Sequence, residues 1–342
     1  MTRRNLLSAM LAPAALGEVR AAALPPLPES IAGQFAGVHA GRLIVAGGTS
    51  WSKPKWDGGE KRWTPAIYSL GSGETEWRKC GEQAEPLAYG GAASTSAGVV
   101  CIGGQGPAAA SALAHLLLWD GSKVKQYRLA DLPEPRMMLA ASLSGGSVLA
   151  VGGQSAPDAL DASSAVWRLD ALDGNWNRAC WRKAPPIPGP GRILPAMAAC
   201  HRGFYVASGA SLLADPPGRT RRQYLRDAFR FHGGSGWTAL PALPAAVVAA
   251  PACCDASGRF LVIGGDDGAL AGQVPEPGPR HPGFRRAILR LEAGVWREAG
   301  SVPVGLVTTA AVRWRDSIVI PGGEDRPGSR AARVFSIQGL TE

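Results

Sequence analysis

Near the end of the chain, Glu324 and Arg330 stand six residues apart in the segment Gly322-Gly323-Glu324-Asp325-Arg326-Pro327-Gly328-Ser329-Arg330. Proline and glycine at its centre force a turn, which can bring the carboxylate and the guanidinium back toward each other. A carboxylate beside a fixed cation suits proton transfer on an anionic substrate: the glutamate moves the proton while the arginine grips the acid group through paired hydrogen bonds. The same two residues also fit a loop ion pair with no further duty, and their types alone do not separate the readings.

Other residues could complete such a site. Trp51, Trp56 and Trp63 share one loop, where an indole face either stacks on the apolar side of a ligand or packs within the loop. Arginines bunch in two further loops, as Arg219, Arg221, Arg222 and Arg226, and as Arg280, Arg285 and Arg286. Clusters of this kind either draw in a small anion or stand solvated in their loops. Trp51, Trp63, Arg222 and Arg326 are therefore the candidate substrate contacts. A nucleic-acid groove requires a basic stripe interleaved with stacking aromatics, and these loops offer only Tyr224 and Phe284, so nucleic acid is not an expected partner.

What positions these loops is a repeat. Six short apolar runs end at a glycine pair or its near equivalent, at Gly48, Gly104, Gly153, Gly209, Gly265 and Gly323, at intervals of 56, 49, 56, 56 and 58 residues. Such regularity marks one structural unit copied six times. In each copy a stretch of small residues precedes the run across a tight turn, as in a β-hairpin. A third run follows after a variable loop. Most copies then add a fourth, aromatic element with a proline-rich exit, Trp77 to Pro86 being the first. Four strands per copy and no sustained helical period predict an all-β fold, a six-bladed β-propeller forming a single domain over residues 23–342. Small residues suit the crowded inner strand and β-branched residues the buried second.

The last copy stops after its third strand, while a proline-rich stretch, Ala23 to Pro28, is unused at the start of the chain. The N-terminal segment is thus expected to supply the missing outer strand and close the ring. Loops after the second strand gather at one mouth of the tunnel, where function is expected. They are long in the first, fourth and fifth copies (49–64, 210–226, 266–285), which makes the pocket one-sided.

Residues 1–22 have a charged start, a short apolar stretch and a small-residue exit, and Arg3-Arg4 followed by Asn5-Leu6-Leu7 resembles a twin-arginine export signal. A periplasmic or otherwise exported protein is expected, with a disordered cytosolic leader as the alternative. The apolar stretch is shorter than the roughly 20 residues a membrane span needs, and no membrane association is expected after the signal is removed. The formal charge is +9; the leader carries a net +2 through Arg3, Arg4, Arg20 and Glu18, leaving +7. Six cysteines show no metal-type spacing and are expected as buried thiols rather than zinc ligands, with a Cys180–Cys200 disulfide left open.

The glycine-ended repeats resemble Kelch motifs. More narrowly, Gly33-Gln-Phe-Ala-Gly37 leading to Leu43-Ile-Val-Ala-Gly-Gly48, then Ala88-Tyr-Gly90, and Gly323-Glu-Asp-Arg-Pro-Gly-Ser-Arg330 followed by Ala332-Arg-Val-Phe335, resemble the N-acetylneuraminate epimerase (sialic acid mutarotase) family. The correspondence is circularly permuted, so that the unit bearing the site closes this chain. The resemblance implies an isomerase that interconverts anomers of an acidic sugar without cofactor or metal, with Glu324 as proton acceptor and Arg330 beside it. Leu87 stands where the family has an arginine before Ala-Tyr-Gly. Two other readings are a propeller that binds a glycan or protein without chemistry, and a copper radical oxidase. The latter needs gathered Tyr, His and Cys ligands, and the five His and five Tyr are scattered through the copies.

Overall fold

The glycine pairs at Gly47-Gly48, Gly103-Gly104 and Gly152-Gly153 let the second strand of a repeat turn away at a point where a side chain would strike the next repeat. A Cβ on Gly152 would lie 2.5 Å from the carbonyl oxygen of Arg192, the same oxygen to which the Gly153 amide donates at 2.8 Å. Both glycines have positive φ, 69° and 90°, a conformation glycine adopts without Cβ strain. The same clasp runs from the amides of Gly48 to Leu87, Gly104 to Arg136 and Gly323 to Ile31. The motif is therefore a joint between repeats as well as the end of a strand.

The computed structural model describes residues 19–172, 175–215, 219–273 and 278–340. Within them the chain forms a six-bladed β-propeller of four-stranded antiparallel sheets. Blade I comprises Phe35–His39, Arg42–Ala46, Ala66–Leu70 and Arg78–Glu82 from axis to rim. Blades II to V follow the same order, with inner strands Gly91–Thr95, Ala140–Ser144, Ala196–Cys200 and Ala252–Cys254. Blade VI has Val312–Trp314, Ser317–Arg326 and Ser329–Gln338, and its outer strand is Arg20–Leu24, with Ala23 opposite Phe335. This is the closure the missing fourth strand predicts. The strand starts at Arg20, so the leader boundary expected at residue 22 falls inside it. Residues 1–18 of the expected export signal lie outside the described residues.

The apolar core is divided among the junctions between blades. Phe35, Ile44 and Ile67 of blade I pack with Val99, Cys101 and Leu117 of blade II, and Leu43, Val45 and Trp77 pack with Val312, Trp314 and Val319 of blade VI. Each β-branched second strand is buried on both faces, one toward each neighbour. On the rim, Trp77, Trp181, Trp237 and Trp296 donate their indole N–H to carbonyls of the preceding blade, at Pro25, Ala130, Pro185 and Pro241, over 2.7–2.8 Å. An aromatic in the fourth strand thus seals apolar surface and satisfies its polar atom across a junction.

A closed circuit of backbone hydrogen bonds runs around the axis. The amide of Gly33 donates to Thr308, Tyr89 to Gly33, Met138 to Tyr89, Leu194 to Met138, Ala249 to Leu194 and Thr308 to Ala249, all within 2.6–3.0 Å. All six residues have φ between 52° and 73°, an arrangement that costs about 1–2 kcal/mol at each non-glycine position. The circuit satisfies those amides and carbonyls at the crowded axis, where no neighbouring strand could.

The disulfide joins Cys200 to Cys254, with Cα atoms 5.7 Å apart, and Cys180 is free, which corrects the pairing left open above. Cys180 belongs to the outer strand of blade III, whereas Cys200 and Cys254 lie on the inner strands of blades IV and V, which meet around the axis.

Candidate functional site

The residue following each glycine pair bridges back to the segment that enters the inner strand of its own blade. The six equivalent positions are Thr49, Gln105, Gln154, Ala210, Asp266 and Glu324, and together they ring one mouth of the tunnel. Glu324 is thus one place in a sixfold frame. Its backbone exchanges hydrogen bonds with Val307 at 2.9 and 3.0 Å. Past it, the second and third strands of blade VI run on as a hairpin with Pro327-Gly328 at the tip, and the register sets Glu324 directly opposite Arg330. The turn predicted from proline and glycine does bring the two together.

Arg330 donates from one terminal nitrogen to Glu324. Its Nε donates to the carbonyl of Thr49 at 3.3 Å, and its other terminal nitrogen to Thr49 Oγ1 at 3.3 Å and to the hydroxyl of Tyr89 at 3.1 Å. Thr49 Oγ1 and the Tyr89 hydroxyl are themselves 2.8 Å apart. Tyr89 reaches this point because Gly33 precedes it in the axial circuit: a Cβ on Gly33 would stand 2.6 Å from the tyrosine ring. Three blades thereby meet in one network of Glu324, Arg330, Thr49 and Tyr89.

Burial raises the Glu324 pKa above the ordinary carboxylate value, against the opposing pull of Arg330, Arg222 and Lys61. The carboxylate keeps 18% of its side-chain exposure while Arg330 keeps 4%, so the carboxylate faces the mouth and the guanidinium lies behind it. A carboxylate desolvated in this way is a stronger proton acceptor than one in water.

Around this pair stand the hairpins of blades I and IV, Thr49–Trp51 with Lys61–Trp63 and Ala210–Asp215 with Arg219–Tyr224. These are two of the three long loops expected at the mouth. The Lys61 ammonium lies between two aromatic faces, 4.8 Å from the Trp63 ring and 4.6 Å from the Tyr89 ring. Trp51 lies beside Arg330, 5.9 Å from guanidinium carbon to ring centroid. On blade V, Asp266 accepts from the Tyr224 hydroxyl at 2.9 Å, and burial pushes that phenol up to about 12, so it stays protonated. Arg222 is placed against Tyr224 and acts on Glu324 by its charge.

Of the expected residues, Glu324, Arg330, Trp51 and Arg222 gather at the mouth, with Trp63 behind Lys61 and bonded through its indole N–H to the Gln105 carbonyl at 3.0 Å. Arg326 does not join them. It donates to the Pro279 carbonyl at 3.2 Å and pairs with Asp325 at 3.7 Å, because an irregularity in the strand between Glu324 and Arg326 breaks the alternation that would otherwise set the two on one face. Arg330 differs in detail from the expectation too. Four of its five N–H donors are engaged within the protein, so the bidentate grip on a substrate acid is not available to it. Sequence reasoning passed over Thr49, Tyr89, Lys61 and Asp266 as site residues. The signal for Thr49 and Asp266 was the repeat itself, since each follows its glycine pair as Glu324 does. Among the described residues no group of three or more His, Cys, Asp or Glu is placed to hold a metal ion.

No family model matches the chain. Curated relatives that match part of it are the N-acetylneuraminate epimerases of Brucella suis and Brucella melitensis, each 32% identical over 114 residues, covering 29% of this chain and 29% of theirs. That of Salmonella enteritidis is 33% identical over 97 residues, covering 24% of this chain and 25% of its own. The chain thus spans under a third of the length of these relatives. The solved structure of YjhT superposes with a TM-score of 0.66 over 92% of this chain and 99% of that one, at 14% identity. Part of the chain is therefore similar in sequence to N-acetylneuraminate epimerases, and nearly all of it shares its fold with YjhT.

Proposed function

We propose that the protein is a mutarotase that interconverts the anomers of an acidic sugar such as N-acetylneuraminate. The observation that carries this reading is Glu324, a carboxylate of raised pKa, held by a buried arginine at the mouth of the tunnel. Glu324 takes the proton of the anomeric hydroxyl. The bond from the anomeric carbon to the ring oxygen breaks, and the ring oxygen receives a proton from Tyr89, whose hydroxyl Arg330 and Thr49 fix. The open carbonyl turns its other face, and closure returns both protons. General acid–base assistance of about 10²–10⁴-fold suffices for a reaction that proceeds unaided in water. Arg330 keeps Glu324 oriented and compensates its charge between turnovers, while burial keeps it basic.

Anomer-resolved NMR of N-acetylneuraminate, with and without the protein, tests this. Faster exchange that is lost in Glu324→Gln is the expected result. Full exchange in that variant removes Glu324 from the role, and sugar binding without acceleration makes the propeller a binding module.

We further propose an exported protein. The Arg3-Arg4 start supports this, as does the Cys200–Cys254 disulfide, since such bonds persist in oxidising compartments. Retention of an Arg3→Lys, Arg4→Lys variant in the cytoplasm, against an exported parent, is the expected outcome; equal export of both would overturn it.

A further inference from the structure

The occupied state of Arg330 raises the question of what holds the acid group of an anionic ligand. One N–H of its guanidinium is left over, on the nitrogen that already serves Glu324, and paired recognition of a carboxylate needs two. Two other cations flank Glu324 from opposite sides. Lys61 rises on the hairpin of blade I, next to blade VI around the ring, and Arg222 on the hairpin of blade IV, beyond blade V.

Their surroundings differ from those of the structural cations. Arg192 and Arg259 each meet a carboxylate at 2.6 Å, and Arg42 meets one at 2.7 Å. Lys61 instead rests on the faces of Trp63 and Tyr89, which fix an ammonium without neutralising it. Arg222 has the Tyr224 hydroxyl beside it, and that hydroxyl is committed to Asp266. Both charges act on the Glu324 carboxylate, which puts them within electrostatic reach of the same space. That space is the mouth between three hairpins, with one buried acid at its floor.

We propose that Lys61 and Arg222 form a two-sided clamp for the carboxylate of the ligand, and that Arg330 is a positioning residue which holds Glu324 and Tyr89. The site is thereby specific for an anionic sugar over its neutral ester. This rests on the mutarotase reading for the identity of the sugar, but not for the clamp itself. The arrangement also protects the chemistry: bringing the ligand's negative charge to Lys61 and Arg222 spends the two cations that otherwise make Glu324 a weaker base. The ligand that fits the clamp thus sharpens the acceptor beside it.

The experiment compares N-acetylneuraminate with its methyl ester, by titration calorimetry for binding and by anomer-exchange NMR for turnover, in the parent, Lys61→Met, Arg222→Met and Arg330→Lys. Arg222 is exposed and Lys61 half-buried, so these two variants are expected to keep the parent's melting temperature. The parent is expected to bind the acid about tenfold or more tightly than the ester. Lys61→Met and Arg222→Met should each erase most of that preference by weakening the binding of the acid and raising its KM. Arg330→Lys should lower kcat for both sugars and leave the acid-over-ester preference standing. A parent that binds both sugars equally, or a preference that survives both Met variants, overturns the clamp. Acid-selective binding that the Met variants abolish, without acceleration of exchange in the parent, upholds the clamp and sinks the mutarotase reading alone.

Discussion

Arg192 and Arg330 are both almost wholly buried against a carboxylate, and they do different things. Arg192 has no exposed side-chain surface; it binds both oxygens of Asp227 at 2.6 and 2.9 Å, with further bonds to the carbonyls of Ser208, Pro188 and Pro190. Its partners besides Asp227 are backbone, and it staples the entry of blade IV to the start of that blade's third strand. Arg330 is nearly as deep and its Nε also serves a carbonyl, that of Thr49, yet one of its terminal nitrogens goes to the hydroxyls of Thr49 and Tyr89 on the tunnel wall. An ion pair is structural when its spare donors are consumed by the chain's own carbonyls alone. It becomes a candidate site when they organise side chains that face an open space. Burial and distance alone would rank the two pairs together.

The sharpest way to break this comparison is to neutralise each carboxylate. Glu324→Gln keeps an oxygen for Arg330, and anomer exchange measured by NMR should fall about 10²–10⁴-fold. Because burial raises the folded-state pKa of Glu324, ionisation opposes folding as pH climbs through that value. The neutral variant should therefore melt no lower than the parent at neutral pH, with any gain vanishing in acid; a clear loss of stability at neutral pH would place Glu324 with Asp227 as a structural partner. For the same reason the parent's exchange rate should fall as pH drops through a pKa above the ordinary carboxylate range.

Asp227→Ala makes the opposite trade. It leaves a buried guanidinium uncompensated, at a cost of about 3–5 kcal/mol in denaturant unfolding. Exchange per folded molecule should be unchanged. A catalytic loss without a stability loss would reverse the assignment of the two pairs.

Gly33→Ala tests the support beneath the site. Its φ of 73° and the 2.6 Å approach to Tyr89 predict a loss of about 1–3 kcal/mol together with reduced exchange, as the tyrosine shifts away from Arg330. Gly41→Ala is the control: φ is 74° but nothing lies within 4 Å of the new Cβ, so strain of about 1 kcal/mol should appear with exchange intact. Equal catalytic effects of the two would remove Gly33 from the site.

The smallest effect at neutral pH belongs to His115, which is buried in blade II with neither ring nitrogen hydrogen-bonded and its pKa lowered by burial to about 4. The unfolded chain takes up that proton first. Stability from the neutral ring is therefore complete above the ordinary value of 6.5 and lost as pH falls from there toward 4. His115→Leu should flatten this part of the acid unfolding curve, and an unchanged curve would show that other groups set it.

Much of this was legible in the chain. The spacing of the glycine pairs announced six blades, and the short last copy announced the closing strand, because a repeat that lacks an edge partner must find one. Glu324 opposite Arg330 followed from Pro327-Gly328, since a tight turn fixes register locally. The disulfide was not legible, because Cys200 and Cys254 are neighbours only through the ring. The same holds for Lys61 and Tyr89, which lie on one blade and the next and meet at a third.

What the sequence determines by itself is therefore everything that depends on short-range geometry: the alternation of each strand, the turn at each glycine, the count of copies and the pairing across one hairpin. What only the tertiary structure decides is which copies face one another across the axis and where each spare hydrogen-bond donor goes. Curvature of the ring converts separations of 241 residues, as between Tyr89 and Arg330, into a hydrogen bond of 3.1 Å. No local rule encodes that distance, since it is the sum of small rotations at every junction between blades.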